Sequence, residues 1–211
     1  MEYINWKNGL FISGPMLCGL AFKLIKKRID RKYDYSFNEV LFYGDSADEE
    51  KVKKTGLNNL YCINFVLSNA CRSVDVCVPS LESETITKCL INVHLKNKAK
   101  VRIAIHNSDQ FGNLKSLAQH GIEVKVIKSE RIEHEFALID ACEATSDGLA
   151  VMGSLDYETA RVNCNKDMTM LTSQPEVVTN LQREFNRIWN STPDVFGAKE
   201  GKPDLMLNDT R

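Results

Sequence analysis

Apolar positions along this chain change period several times, and each change marks an element. NEVLFY (38–43) predicts a first strand, and GDSADEEKVKKTG (44–56) is charged and predicts a loop. In LNNLYCINFVLSNAC (57–71), Leu57, Leu60, Tyr61, Ile63, Phe65, Val66 and Ala70 recur at helical spacing. SVDVCVPS (73–80) reads as a strand stopped by Pro79, and ESETITKCLINVHLKN (82–97) as a helix with Ser83 at its N-cap. AKVRIAIH (99–106) alternates as a strand, NLKSLAQHG (113–121) predicts a short helix closed by Gly121, and IEVKVIK (122–128) alternates again. EFALIDAC (135–142) and LAVMGS (149–154) predict a hairpin turned at Asp147-Gly148. KDMTMLT (166–172) is a further strand, and PEVVTNLQREFNRIW (175–189) an amphipathic helix with Pro175 in its first turn. No internal repeat is present. Strands alternating with helices imply an α/β domain on a mixed, mostly parallel sheet flanked by helices.

The two ends of the chain differ from this middle. Residues 9–22, GLFISGPMLCGLAF, form an apolar run, and Lys23, Lys26, Lys27, Arg28, Arg31 and Lys32 follow it. Extended from Trp6 to Ile25, the run reaches about twenty residues, or roughly 30 Å of helix. A cleaved secretory signal carries its charge before the apolar run, whereas here the charge comes after. The pattern therefore predicts an N-terminal membrane anchor with a basic flank (1–28), with a soluble amphipathic helix as the alternative, and a cytosolic domain by the positive-inside rule. A polar linker (29–37), a domain (38–191) and a disordered tail (192–211) complete the expected organisation.

Composition narrows the function classes. The 211 residues are 43% hydrophobic and 26% charged, with a net charge of −1. That is a soluble core-forming composition and excludes a globally basic nucleic-acid binder, though not a local basic patch. The seven cysteines form no CxxC pair and sit mostly in apolar runs, which predicts free buried thiols in a reducing compartment. They make no zinc-type cluster with the four scattered histidines. No cofactor is expected.

Candidate chemistry gathers around RIEHEFALID (131–140), where charges crowd the leading end of a core strand, and around GLAVMGSLD (148–156). A strand ending in Gly153-Ser154 offers backbone N–H groups and a hydroxyl to an oxyanion, although a tight turn reads the same way. Together the two blocks resemble the phospholipase D-like superfamily, whose motif is H-x-K-x4-D followed by G-S-x-N. More narrowly, the chain resembles the Zucchini, or mitochondrial cardiolipin hydrolase, family. An N-terminal anchor with a basic flank, NEVLF (38–42), SVDVCV (73–78), GIEVKV (121–126) and EFNRIW (184–189) carry that likeness over about residues 5–190.

The resemblance implies a phosphodiesterase of single-stranded RNA in the small-RNA (piRNA) pathway, or of cardiolipin, at the mitochondrial outer membrane. It also implies that two chains pair to complete one site. One His attacks the phosphodiester and its partner protonates the leaving oxygen, while the Lys and Asn hold the phosphate. This chain departs at those positions. Aligning Asp140 on the motif's Asp puts Glu133 at the His, Glu135 at the Lys and Asp156 at the Asn, with Gly153 and Ser154 matching. His134 is no substitute, because side chains alternate along a strand and a shift of one residue would pull Phe136 from the core. The small Cys/His zinc insertion of active relatives is missing from YGDSADEEKVKKTG (43–56).

Three readings follow. The first is a catalytically degenerate member acting by binding or by homo- or heterodimerisation with a related chain, with single-stranded RNA or anionic phospholipid as candidate ligands. The second is a hydrolase or endonuclease of altered chemistry, using Glu133 or Glu135 as base or as ligand to a divalent cation, helped by Ser154. The third is a module that keeps only the fold. In a symmetric dimer, paired copies of Glu133, Glu135 and Asp156 would line one pocket and oppose a phosphodiester.

Overall fold

The computed structural model describes residues 36–43, 49–106, 111–128, 131–142, 148–155, 167–193 and 195–196. The expected anchor, the linker to Tyr35, the Asp147 position of the hairpin turn, Asp156 and the tail from 197 lie outside the described residues. Among the described residues, no helix is long and apolar enough to cross a membrane.

The elements are β1 (Asn38–Tyr43), α1 (Glu49–Ser68), β2 (Ser73–Val78), α2 (Glu84–Asn92), β3 (Lys100–Ile105), α3 (Phe111–Gln119), β4 (Glu123–Val126), β5 (Phe136–Ile139), β6 (Leu149–Gly153), β7 (Asp167–Thr172) and α4 (Pro175–Asn190). One seven-stranded sheet runs β1-β7-β6-β5-β2-β3-β4. The sheet is mixed, as expected, but its parallel part is smaller than the β-α-β pattern implied. Only β2·β3 and β3·β4 are parallel, and the other four neighbouring pairs are antiparallel. Helical crossovers return the chain parallel in the first half. In the second half β5, β6 and β7 run antiparallel to their neighbours.

Two local expectations need correction. Residues 49–56 are helical rather than loop. Charge suggested solvent, but five of the six residues of EEKVKK are straight-chain Glu and Lys that lose little rotamer freedom in a helix, and the apolar stripe Leu60, Ile63, Val66 and Leu67 fixes the helix to the core. The α2 region ends in a π-helical turn at Val93–Asn97, closed by Lys98 in the left-handed region (φ 59°). Ser83 caps α2 as expected, its hydroxyl accepting the Ile86 N–H. Gly121 takes φ +83° just past α3.

Helices cover the two sheet faces unequally. On one face, α1 to α3 enclose the larger core, with Val74, Val76, Ile103, Ile105, Val124, Ala137, Ile139 and Val151 all buried. On the other, α4 alone packs against β6, β5, β2 and β3 and buries Phe136, Leu138, Ala150, Phe185 and Trp189. A charged layer lies beneath α4. Arg102 binds buried Asp75 through two contacts of 2.8 and 2.7 Å, and Gln182 Nε2 donates to the same carboxylate at 3.0 Å. The Arg102 guanidinium lies 4.9 Å from the Phe185 ring centroid, and Lys125 Nζ lies 4.6 Å from that of Trp189. Lys125 also donates to the carbonyls of Trp189 and Thr192, satisfying acceptors at the end of α4.

Candidate functional site

Residues 131–135 lead into β5 without being part of a strand. An open hollow of about 360 Å³ is lined by Glu133, Glu135, Met152, Gly153, Ser154, Met168 and Met170. His134 leaves this group. It stacks on Phe136 with centroids 5.7 Å apart, and its Nε2 lies 3.7 Å from Glu184 Oε1 of α4. With Phe136, Met152, Leu181, Glu184 and Glu135 it borders a second hollow of about 350 Å³.

The structure thus brings Glu133, Glu135 and Ser154 together where β5 begins, β6 ends and β7 begins. Glu133 is 73% exposed and pairs with Arg131 at 3.1 Å. Glu135 is more engaged, with one carboxylate oxygen accepting the Leu155 N–H at 2.7 Å and its carbonyl accepting the Gly153 N–H at 3.1 Å. Gly153 has φ +108°, and a Cβ there would sit 2.3 Å from the Met168 carbonyl. Only glycine allows β6 to pass β7 this closely.

Asp140 is not part of this hollow. It lies beyond the far end of β5, roughly 16 Å along the chain from Glu135 at strand spacing. Its carboxylate accepts the N–H groups of Cys71, Arg72 and Ser73 at 2.6–3.0 Å, and its backbone is left-handed (φ 54°). Its motif position is matched, but its work here is to close the turn before β2. Asp156 lies outside the described residues.

The cysteines need one correction. Those of the described residues are free, but only Cys77 and Cys89 are buried; Cys62 is half-buried, and Cys71 and Cys142 are exposed. Both exposed thiols lie beside the Asp140 turn, outside the apolar core. Among the described residues, no group of three or more His, Cys, Asp or Glu is placed to hold a metal ion.

Sequence reasoning missed the hollow's wall. Met152, Met168 and Met170 share a sheet face, since Met152 pairs with Met170 across β6 and β7. The every-second-residue spacing of Met168 and Met170 was the available signal.

Comparison with known proteins fits this geometry. Residues 64–189, more than half of the chain, match the family described as cardiolipin synthase, PLD-like domain. Mitochondrial cardiolipin hydrolase of Chlamydomonas reinhardtii is 27% identical over 128 residues, covering 59% of this chain and 54% of that protein. The protein of the same name from Xenopus laevis is 27% identical over 147 residues, covering 64% and 65%. The match thus spans between about half and two thirds of these relatives' own length. In fold, the chain is similar to the phospholipase D family member Nuc from Salmonella typhimurium, with a TM-score of 0.57 at 15% identity over 74% of this chain and 95% of that one. The mixed seven-stranded sheet, the Gly153-Ser154 strand end beside the RIEHEFALID entry and the family match agree: this chain belongs to the phospholipase D-like superfamily, on its Zucchini and mitochondrial cardiolipin hydrolase side.

Proposed function

We propose that this chain is a Zucchini-like protein of the mitochondrial outer membrane, its domain facing the cytosol, that has lost the phosphodiesterase reaction and acts by binding or dimerisation. The observation that carries the reading is the state of Glu135. At the position of the family's phosphate-holding Lys, a carboxylate is committed to a backbone N–H at 2.7 Å. Beside it, Glu133 replaces the nucleophile, and among the described residues the lining of the hollow contains two carboxylates and no Lys, Arg or His. A phosphodiester placed there meets two carboxylates, and the nearby Arg131 is already paired with Glu133 at 3.1 Å. The relatives' name supports the mitochondrial site, and the apolar run with its basic flank supports the anchor and its orientation.

A reading of altered chemistry draws on one observation: the exposed Glu133 carboxylate and Ser154 line the same hollow. The two readings separate in a single-turnover assay of the full chain on single-stranded RNA and on cardiolipin vesicles, with and without Mg²⁺ or Mn²⁺. The degenerate reading expects no product above a protein-free blank. Product formation that disappears in Glu133→Ala overturns it.

A further inference from the structure

A basic patch lies at the end of the sheet away from the hollow. Four antiparallel pairings lead from β1 through β7, β6 and β5 to β2, so β1 and β2 run the same way, and β3 is parallel to β2. Asn38, Ser73 and Lys100 therefore begin their strands at one end of the sheet. The hollow, where β5 begins and β6 ends, lies at the other.

At the first end the π-helical turn Val93–Asn97 is held firmly. Val93 is buried, His94 Nδ1 lies 3.0 Å from the Ala99 carbonyl oxygen, and the Asn97 side chain donates at 2.8 Å to the carbonyls of Ser68 and Ala70. Between these ties Leu95 is 44% exposed, and Lys96, Lys98 and Lys100 beside it are exposed as well. Lys100 reaches Glu123 at 3.5 Å, whereas Lys96 and Lys98 have no ion pair among the described residues. Arg72, exposed at the neighbouring strand start, donates to the Asp140 carbonyl at 2.6 Å, and the Asp140 carboxylate is taken up by backbone N–H groups.

Two features separate this turn from an ordinary solvated face. Lys98 closes it in the left-handed region (φ 59°), a position that glycine or asparagine fills at lower cost. Lysines at a helix C-terminus complement its dipole, which accounts for Lys96 but not for the exposed Leu95. An apolar side chain among amines suits the boundary between acyl chains and anionic headgroups. A nucleic-acid strand calls for aromatic platforms beside the cations, and residues 93–100 contain no Phe, Tyr or Trp. Chain connectivity selects the same occupant. The basic flank of the apolar run ends at Lys32, six residues before β1 starts at Asn38, a reach of at most about 20 Å. An anchored chain thus enters the sheet at the end that bears the patch.

We propose, resting on the membrane-anchor reading above, that Leu95, Lys96, Lys98 and Lys100 form a contact site for an anionic lipid surface. The site sets that end of the sheet against the bilayer and turns the hollow away from it. Tethering keeps the patch near the headgroups, so contacts too weak to recruit a free domain suffice to orient an anchored one.

Lysine footprinting of the full-length protein tests this. The chain is reconstituted into vesicles of phosphatidylcholine alone or with about 30% phosphatidylserine. A membrane-impermeant acetylating reagent is applied briefly, and peptide mass spectrometry reads each lysine. In the anionic vesicles Lys96 and Lys98 should react at least about threefold more slowly than in the neutral ones at about 0.05 M salt, and recover at about 0.5 M. Exposed Lys128, beyond the opposite end of β4, should keep its rate. Leu95→Ser and Lys98→Gly should each reduce the slowing at Lys96. Lys98→Gly relieves the left-handed backbone, so an effect lost there is not a folding failure. Equal rates in the two vesicles, slowing that extends to Lys128, or indifference to both substitutions would each overturn the proposal. Protection of Lys96 by single-stranded RNA in neutral vesicles, to the extent seen with anionic lipid, would overturn it too. Flotation with the neutral vesicles reports the anchor separately. A chain left behind sinks the anchor reading, while slowing at Lys96 with anionic vesicles would still support the contact.

Discussion

The Glu135 carboxylate accepts the backbone N–H of Leu155 at 2.7 Å and so ties the start of β5 to the end of β6. Leu155 is buried, so its N–H has little access to water once that acceptor is gone. Glu135→Ala should destabilise the domain by about 1–3 kcal/mol, and Glu135→Gln, which keeps an acceptor oxygen, by less. Glu135→Lys sets a donor against a donor and should be at least as damaging as alanine. Urea unfolding of the three variants gives the order; an alanine variant as stable as wild type would remove the tie. The same contact means that restoring the family's Lys at this position does not restore its setting.

Asp140 carries a separate stability role at the other end of β5. It combines a left-handed backbone with a carboxylate that accepts three successive N–H groups. Asn tolerates that backbone and retains one acceptor, whereas Ala does neither. Asp140→Ala should therefore cost about 3 kcal/mol and Asp140→Asn about 1 kcal/mol. Asp140→Gly isolates the carboxylate's share, because glycine accepts the backbone at no steric cost. Equal losses for Asn and Ala would show that the capping carboxylate matters little.

These two carboxylates show how far the sequence could be read. Strand period placed Glu133 and Glu135 together and sent His134 to the other side; in the structure β5 begins only at Phe136, the two glutamates line one hollow, and His134 lies against Phe136 and Glu184. The match of Asp140 to a motif grouped it with the site, but motif spacing counts residues and a strand separates them in space. The reversal of β5, β6 and β7 was half visible, since a short link between two strands implies an antiparallel pair while the order of strands in the sheet is set by long-range packing. The buried pair Asp75–Arg102 had no sequence signal. Both residues sit in strands that otherwise alternate normally, and only their register, Asp75 opposite Arg102, brings them together.

Thiol accessibility follows from the two-layer packing. Burial pushes the Cys77 thiol up to about 12, with the nearby Glu184 charge adding to the effect, and burial likewise raises Cys89. Reagents act on the thiolate, so both should resist alkylation at neutral pH while exposed Cys71 and Cys142 react. Peptide-level mass spectrometry after brief iodoacetamide treatment reads each site. Modification of Cys77 at the rate of Cys71 in the folded protein would contradict the packing of α4 on β2.

Glu184 gives the protein an acid-sensitive contact. Hydrogen bonds from Arg187 at 2.8 and 3.0 Å hold its carboxyl below the usual carboxylate range, against partial burial that pushes it up, with the charges of Arg187 and His134 adding to the lowering. Because the folded protein binds this proton less readily than the unfolded chain, the contact contributes stability above the unfolded value of about 4.3. That contribution is lost as pH falls through the lower, folded value. Glu184 is 32% exposed and its partner 57%, so the effect is that of a surface pair, about 0.3–0.5 kcal/mol. Glu184→Gln should be less stable than wild type by that amount at pH 7, with the two curves converging as pH falls towards about 3. Urea midpoints measured across this range test the sign directly. A gap that stays constant, or that widens in acid, would show that Glu184 acts through packing on α4 and not through its charge.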